Sequence, residues 1–216
     1  MGAFEEMYRN STTVPWHQDE QESWLDVRLT KELLRDSGQV DEIHDLGCGT
    51  GHYMHLMAQD LLVPGGTGYG YDISETACSR AALNFPSWSF SVLDLTQESG
   101  ISKPDETDAS SRGKGARLYM LRGTLWYVFP RLSTVIRNIR CMMDQDDDRL
   151  LVVQNFPPLD TKFIGKEIIP HHFALIDHFK EDFVLQRHIW YENSGANVND
   201  NWFIGVFSSI NTYPEI

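Results

Sequence analysis

The sequence predicts an α/β fold: a doubly wound, seven-stranded sheet, mostly parallel with an antiparallel last strand, and helices on both faces. Three observations predict it. From residue 40 onward, short apolar runs alternate with runs of helical period. That order builds a parallel sheet through crossover helices. A glycine loop, Gly47-Cys48-Gly49-Thr50-Gly51, follows the first strand and opens a helix. The last two strands are joined by a turn region without a helix, so they are free to pair antiparallel.

Element by element, Phe4 to Gln21 mixes aromatics, histidine and acids around Pro15 and shows no clear period. From Glu22 to Arg35, Trp24, Leu25, Val27, Leu29, Leu33 and Leu34 recur at helical spacing. Gly38 follows as a stop signal. Val40 to Leu46 reads as a strand, and His52 to Leu62 as a helix stopped by Pro64-Gly65-Gly66. Thr67 to Ile73 reads as the second strand. Ser74 is the expected N-cap of a helix reaching about Phe85, with Ala77 where a capping box would want an acid. Ser89 to Leu95 alternates and reads as the third strand. Gln97 to Ala116 is polar and is expected to be a long excursion. Then follow a strand running into a turn (Arg117 to Phe129), an amphipathic helix (Leu132 to Met143) and an apolar strand (Arg149 to Phe156). Phe173 to Phe179 is expected to be helical, Phe183 to Tyr191 a strand, Asn193 to Asn201 a polar turn region, and Trp202 to Ser208 the closing strand.

The 216 residues suit one domain. Residues 1–39 are expected to form a lid and helix of the same domain whose core is 40–216. Hydrophobic and charged fractions of 41% and 23% are those of a globular protein. A net charge of −13 argues against nucleic acid or anionic lipid as a partner, since both need clustered positive charge. Cys48, Cys78 and Cys141 show neither metal spacing nor a disulfide framework. The first residues lack a signal-peptide layout, and Glu6 breaks the myristoylation pattern. No apolar run reaches the length of roughly 18 residues that a spanning helix needs. A cytoplasmic location is therefore expected.

The chemistry concentrates at strand ends. Glycines at 47, 49 and 51 permit a tight turn and a close approach of ligand to backbone. A dinucleotide fingerprint would want a small residue where His52 stands, so a pyrophosphate is not the expected ligand. The competing reading of the loop is a plain βα turn. Asp72 lies about 20 residues further on, where an acid accepts from ribose hydroxyls. Asp94, followed by Leu95, is placed at the end of the third strand, suited to an adenine amine and its ring. Either acid alone would read as a solvated strand end. With Asp45, they make three acids at three successive strand ends.

These residues resemble a known family. Ile43-His44-Asp45-Leu46-Gly47-Cys48-Gly49-Thr50-Gly51 resembles the first motif of class I, Rossmann-like, S-adenosylmethionine-dependent methyltransferases. Gly70-Tyr71-Asp72-Ile73-Ser74 is similar to their second-strand motif, and Leu93-Asp94-Leu95 to their adenine motif. Tyr119 to Val128 is similar to the fourth strand and its turn. The resemblance covers residues 40 to 156. It implies S-adenosylmethionine as cofactor, held by Asp45, Gly47, Cys48, Gly49 and Gly51 at its amino-acid end. It implies Asp72 with Ile73 at the ribose, Asp94 with Leu95 at the adenine, and Arg122 near the cofactor or acceptor. Tyr8-Arg9 through Pro15-Trp16 resembles the N-terminal lid of small-molecule members.

The resemblance implies a methyl acceptor, and the sequence suggests a small one: the chain has little length beyond the core and carries acidic charge. Oxygen is the first choice of attacked atom and nitrogen the second, on a sugar or secondary metabolite. An alcohol acceptor needs a general base. His17, in Pro15-Trp16-His17, is the first candidate, with His172 from the pair His171-His172 and with Tyr127 as a positioning group. No metal site is expected: Asp144, Asp146, Asp147 and Asp148 read as a solvated loop, and Asn199-Asp200-Asn201 as a turn. Asn155-Phe156-Pro157-Pro158 follows the fifth strand with displaced prolines, so it is not the Asn-Pro-Pro-aromatic motif of amide and base methyltransferases. Two alternatives stand beside this reading: a protein or nucleic-acid methyltransferase, and a non-catalytic cofactor-binding subunit.

Overall fold

The computed structural model describes residues 2–98, 115–143, 145–158, 162, 165–195 and 198–210. Its strands are β1 (Val40–Leu46), β2 (Leu62–Asp72), β3 (Ser89–Val92), β4 (Arg117–Arg122), β5 (Arg149–Phe156), β6 (Phe183–Gly195) and β7 (Val198–Ser209). Its α-helices are α1 (Gly2–Asn10), α2 (Leu25–Arg35), α3 (His52–Leu61), α4 (Glu75–Asn84), α5 (Leu125–Val128), α6 (Leu132–Met142) and α7 (His172–Phe179). The seven strands lie in the order β3-β2-β1-β4-β5-β7-β6, with β7 antiparallel to both its neighbours and the other pairs parallel. The expected doubly wound sheet is the one found. Its strand order reverses between β1 and β4, which opens a crevice at their carboxyl ends.

The central strands read as nearly unbroken apolar runs because both faces are covered. On β4 and β5, Leu118, Met120, Leu151 and Val153 pack with α2 and α3 residues such as Val27, Leu34, Met54 and Met57. The alternate residues Tyr119, Leu121, Leu150 and Val152 pack with Val135, Ile136 and Ile139 of α6 and with Leu175 and Phe179 of α7. Each fully buried side chain of this kind contributes about 1.5–3 kcal/mol. β3 is a short, exposed edge, which limits unwanted strand pairing.

The structure moves several boundaries. β2 starts at Leu62, because Leu62 pairs with Val40 and a register shift before Glu42 absorbs Pro64-Gly65-Gly66. The helix-breaking residues thus sit inside an irregular strand. β3 stops at Val92, so Asp94 lies in the turn beyond it. The polar Asn193–Asn201 region continues the β6–β7 ladder, pairing from Asn193↔Asp200 to Gly195↔Val198. The Phe4–Gln21 stretch, without period in the sequence, falls in α1 and in a 3₁₀ segment, Pro15–Ser23, broken at Trp16 and His17. Ser74 caps α4 as expected, accepting from the Ala77 N–H at 3.1 Å. Most of the Gln97–Ala116 excursion, and Asp144, lie outside the described residues.

The acidic run before β5 is not solvated throughout. Asp148 is fully buried and takes Nε and Nη2 of Arg117 on its two oxygens at 2.9 and 2.7 Å. It also accepts from the Gln145 N–H at 3.1 Å. The run is a solvated loop at Asp146 and Asp147 and a structural ion pair at its end.

Candidate active site

A cavity of about 860 Å³ opens at the carboxyl ends of β1, β2 and β4. Gly47, Asp72, Ile73, Asp94, Leu95 and Arg122 line it, as do His17 and Tyr127. Eight of the thirteen site residues expected from the sequence therefore meet in one place.

The glycine loop explains four of the other five. Gly47 and Cys48 donate their N–H groups to the Tyr71 carbonyl at 2.7 and 2.9 Å, which folds the loop tightly over β2. Gly47 has φ 90°, and a Cβ there would strike Thr124 Oγ1 at 2.3 Å. Cys48 is buried, with its thiol near Gly49 O, and Gly49 and Gly51 shape the turn from behind. None of these three is a lining residue among those described. Asp45 is 2% exposed and sits behind the loop. Its Oδ2 has no hydrogen-bond partner, and burial raises its carboxyl to about 7.

Asp72 does two jobs. Its Oδ2 accepts from the Gly49 N–H and its Oδ1 from the Ser74 N–H, both at 2.9 Å. It ties the glycine loop to the start of α4 while one side faces the cavity. Burial raises its pKa, against those backbone bonds. Asp94 accepts from the Thr96 N–H and Oγ1 at 2.9 and 2.6 Å. Asn138 of α6 donates to the carbonyls of Leu95 and Gln97 at 2.8 and 2.9 Å, which fixes this turn against the core.

Over the cavity lies the N-terminal segment. Glu5 of α1 accepts from Ser74 Oγ, Thr76 N and Thr76 Oγ1 at the start of α4. Those bonds lower its carboxyl to about 2, so it stays ionised, in a place where the helix dipole favours negative charge. Arg80 donates to the Ser11 carbonyl at 3.2 Å. Gln18 Oε1 accepts from Thr50 N and Thr50 Oγ1 at 2.9 and 2.7 Å, and its amide fills the space a Cβ on Gly49 would need. Tyr8 is buried beside Asp72, and both burial and that acid raise its pKa. Trp16 and His17 hold φ of 54° and 49°, a left-handed conformation costing about 1–3 kcal/mol for each such residue.

Arg122 is held by partners the sequence did not suggest. Its Nε and Nη2 donate to Asp26 Oδ2 at 3.0 and 2.7 Å, and Nη1 to Gln21 Oε1 at 2.9 Å. The guanidinium lies over Tyr53, Trp202 and Trp24. It lines the cavity but spends its charge binding the end of β4 to α2 and the lid. His172 is not brought to the cavity. It is buried at the start of α7, stacked on Trp190 at 4.2 Å, and burial lowers its pKa.

Sequence reasoning missed Glu5, Gln18, Asp26 and Asn138. Their partners are distant in the chain, and no local pattern marks them. Two bonds of about 1 kcal/mol each hold Gln18 of the lid to Thr50. Gln18→Ala is expected to speed amide exchange across the lid by roughly tenfold or more. Unchanged exchange would show the lid is held elsewhere.

Comparison with known proteins agrees with this fold. A family model described as a methyltransferase domain matches residues 40–106. No curated protein matches the chain by sequence. Among solved structures, N-methyltransferase NodS from Bradyrhizobium japonicum WM9, in complex with S-adenosyl-l-homocysteine, aligns with TM-score 0.67 at 14% identity, covering 95% of this chain and 97% of that one. A SAM-dependent methyltransferase from Methanosarcina mazei aligns with TM-score 0.58 at 16% identity, over 82% and 96% of the two chains. A TehB-like SAM-dependent methyltransferase from Corynebacterium glutamicum ATCC 13032 Kitasato aligns with TM-score 0.54 at 16% identity, over 86% and 87%. Residues 40–106 thus resemble a methyltransferase domain, and the chain as a whole has the fold of the solved S-adenosylmethionine-dependent methyltransferases.

Proposed function

We propose that this chain transfers the methyl group of S-adenosylmethionine to an oxygen, or second a nitrogen, of a small acceptor. The observation that carries this reading is the convergence of Gly47, Asp72 and Asp94 on one cavity under an aromatic lid. The residues fit the cofactor. The volume lies in the upper part of the roughly 300–1,000 Å³ usual for ligand sites, which leaves room for an acceptor. Asp45 keeps a buried carboxylate oxygen without a partner beside the loop, as a site for an ammonium group would. When bound, the cofactor supplies a methyl group already activated on a sulfonium.

The chain's own residues then orient and enclose. Asp72 would accept from the ribose hydroxyls, and Asp94 with Leu95 would take the adenine. Cys48, Gly49 and Gly51 act through the loop they shape, Asp45 would take the ammonium group, and Ile73 would pack beside the ribose. Alignment of donor and acceptor contributes up to roughly 7–11 kcal/mol. The lid, pinned at Glu5, Gln18 and Gln21, keeps water out.

His17 is the base in this reading. It lines the cavity, stands 3.6 Å from Glu20, and reaches solvent to discharge a proton. Tyr127 positions the acceptor at the same rim. His17→Ala is expected to lower kcat for an alcohol acceptor by about 100-fold, within the range for general-base loss, with little change in cofactor affinity. Full turnover in that variant would remove His17 from the mechanism. A cytoplasmic location goes with this reading, supported by the free thiols of Cys48, Cys78 and Cys141. Among the described residues, no helix is long and apolar enough to cross a membrane.

The test of the whole reading is calorimetric titration with S-adenosylhomocysteine, followed by mass detection of methyl transfer across small alcohols and amines. Saturable binding is expected, and its absence would overturn the reading.

A further inference from the structure

The lid leaves large aromatic rings in solvent at the mouth of the cavity. Trp16 is 43% exposed and Tyr127 49% exposed. Their ring centroids lie 6.1 Å apart, and Phe4 meets Tyr127 edge-on at 4.9 Å. All three line the cavity. Scattered exposed aromatics are ordinary, whereas a contiguous group rimming a cavity marks a binding surface. The backbone adds an independent observation. The left-handed turn at Trp16 and His17 is a conformation such residues adopt only when held there. Within that turn, the Trp16 ring contacts both Tyr8 and Tyr127.

Charge on this side of the cavity is already matched. Arg122 is taken by Asp26, Arg131 by Glu98, and His17 faces Glu20. Asp72 and Asp94 lie on the donor side. Among the described lining residues, each cation already faces an acid and the two acids lie on the donor side, so the rim offers no uncompensated charge to a phosphate, carboxylate or ammonium. The amide oxygen of Asn155 is engaged by Trp126 Nε1 at 3.0 Å. A sugar ring wants several donors and acceptors around it; this rim offers π faces instead.

We propose that the methyl acceptor presents an uncharged, planar aromatic ring, gripped by Phe4, Trp16 and Tyr127 and carrying a hydroxyl as nucleophile. This rests on the methyltransferase reading above. In the transfer, a lone pair of the hydroxyl oxygen forms the new bond to the methyl carbon. The carbon–sulfur bond breaks with its electron pair remaining on sulfur, and the hydroxyl proton passes to His17.

The experiment titrates the full chain with S-adenosylhomocysteine, then with 1-naphthol, 7-hydroxycoumarin, 1-naphthoate and glucose in its presence. The two hydroxyarenes are expected to bind, and 1-naphthoate and glucose are not. Tyr127→Ala should weaken 1-naphthol about tenfold, Tyr127→Phe should restore it, and S-adenosylhomocysteine affinity should stay within about threefold throughout. Phe4→Leu, on the outer helix, gives a second reading if Tyr127→Ala fails to fold. Normal S-adenosylhomocysteine binding without hydroxyarene binding overturns this inference alone. So does a preference for glucose or 1-naphthoate, or arene binding unchanged in the variants. Loss of S-adenosylhomocysteine binding by the wild-type chain overturns the methyltransferase reading, and this inference with it.

Discussion

Asp72→Ala is expected to weaken S-adenosylhomocysteine binding by at least about 100-fold. Hydrogen bonds to a charged group contribute about 1.5–3 kcal/mol each, and two ribose hydroxyls are in question. Every 1.4 kcal/mol is a factor of ten. The carboxylate also receives the N–H groups of Gly49 and Ser74, so the alanine leaves both donors unpaired and loosens the loop that shapes the cavity. Asp72→Asn separates the two effects. It keeps one acceptor oxygen and loses the charge, and it is expected to fall between wild type and alanine. Calorimetry reads the affinity, and a thermal melt of each ligand-free variant reads the loop. An alanine variant that binds with wild-type affinity would show that the ligand does not use this strand end.

The same residue shows why the sheet and the loop that borders the cavity were legible in the sequence. Asp72 and the glycine loop sit where strand turns into helix, and both sides of that boundary announce themselves by apolar period. β4 and β5 were legible for the same reason, since central parallel strands are buried on both faces. The lid was not. α1 buries only Tyr8, and its anchoring contacts are polar bonds from Glu5 to Ser74 and Thr76, some 69–71 residues away. Such pairs leave no local pattern. The β6–β7 hairpin beyond Tyr191 was read as a turn because backbone pairing persists there through a polar stretch. The two histidines teach the same lesson in opposite directions. Local sequence nominates both, while tertiary packing sends His172 into an aromatic stack and leaves His17 at the cavity. Arg122 could be placed near the cavity from its strand end, but its partners Asp26 and Gln21 approach from a segment whose position only the fold reveals.

Asp45→Asn is expected to stabilise the ligand-free protein at alkaline pH and to do nothing at acid pH. Asp45 is 2% exposed, one of its oxygens is unpartnered, and burial is the largest influence on its carboxyl. Arg122 opposes that influence without cancelling it, and Asp72 adds to it. The carboxyl therefore holds its proton to about 7 in the folded chain, against about 3.9 when unfolded. Between those two values the native state binds more protons than the unfolded one, so stability falls as pH rises and levels off above about 7. The difference corresponds to about 4 kcal/mol of stability lost by pH 8. Asparagine has the same shape and no charge to bury, so it should recover on the order of 2–4 kcal/mol at pH 8 and almost nothing at pH 4. Urea unfolding at the two pH values measures this directly. An equal effect at both, or a loss at pH 8, would show that the buried carboxylate is satisfied in a way its geometry does not suggest. The same variant should bind S-adenosylhomocysteine more weakly at pH 8, where the wild-type carboxylate is ionised. A group that costs stability when empty and gains a partner when loaded is what a binding site requires of a buried acid. The opposite movement of stability and affinity in one variant would distinguish that role from a purely structural one.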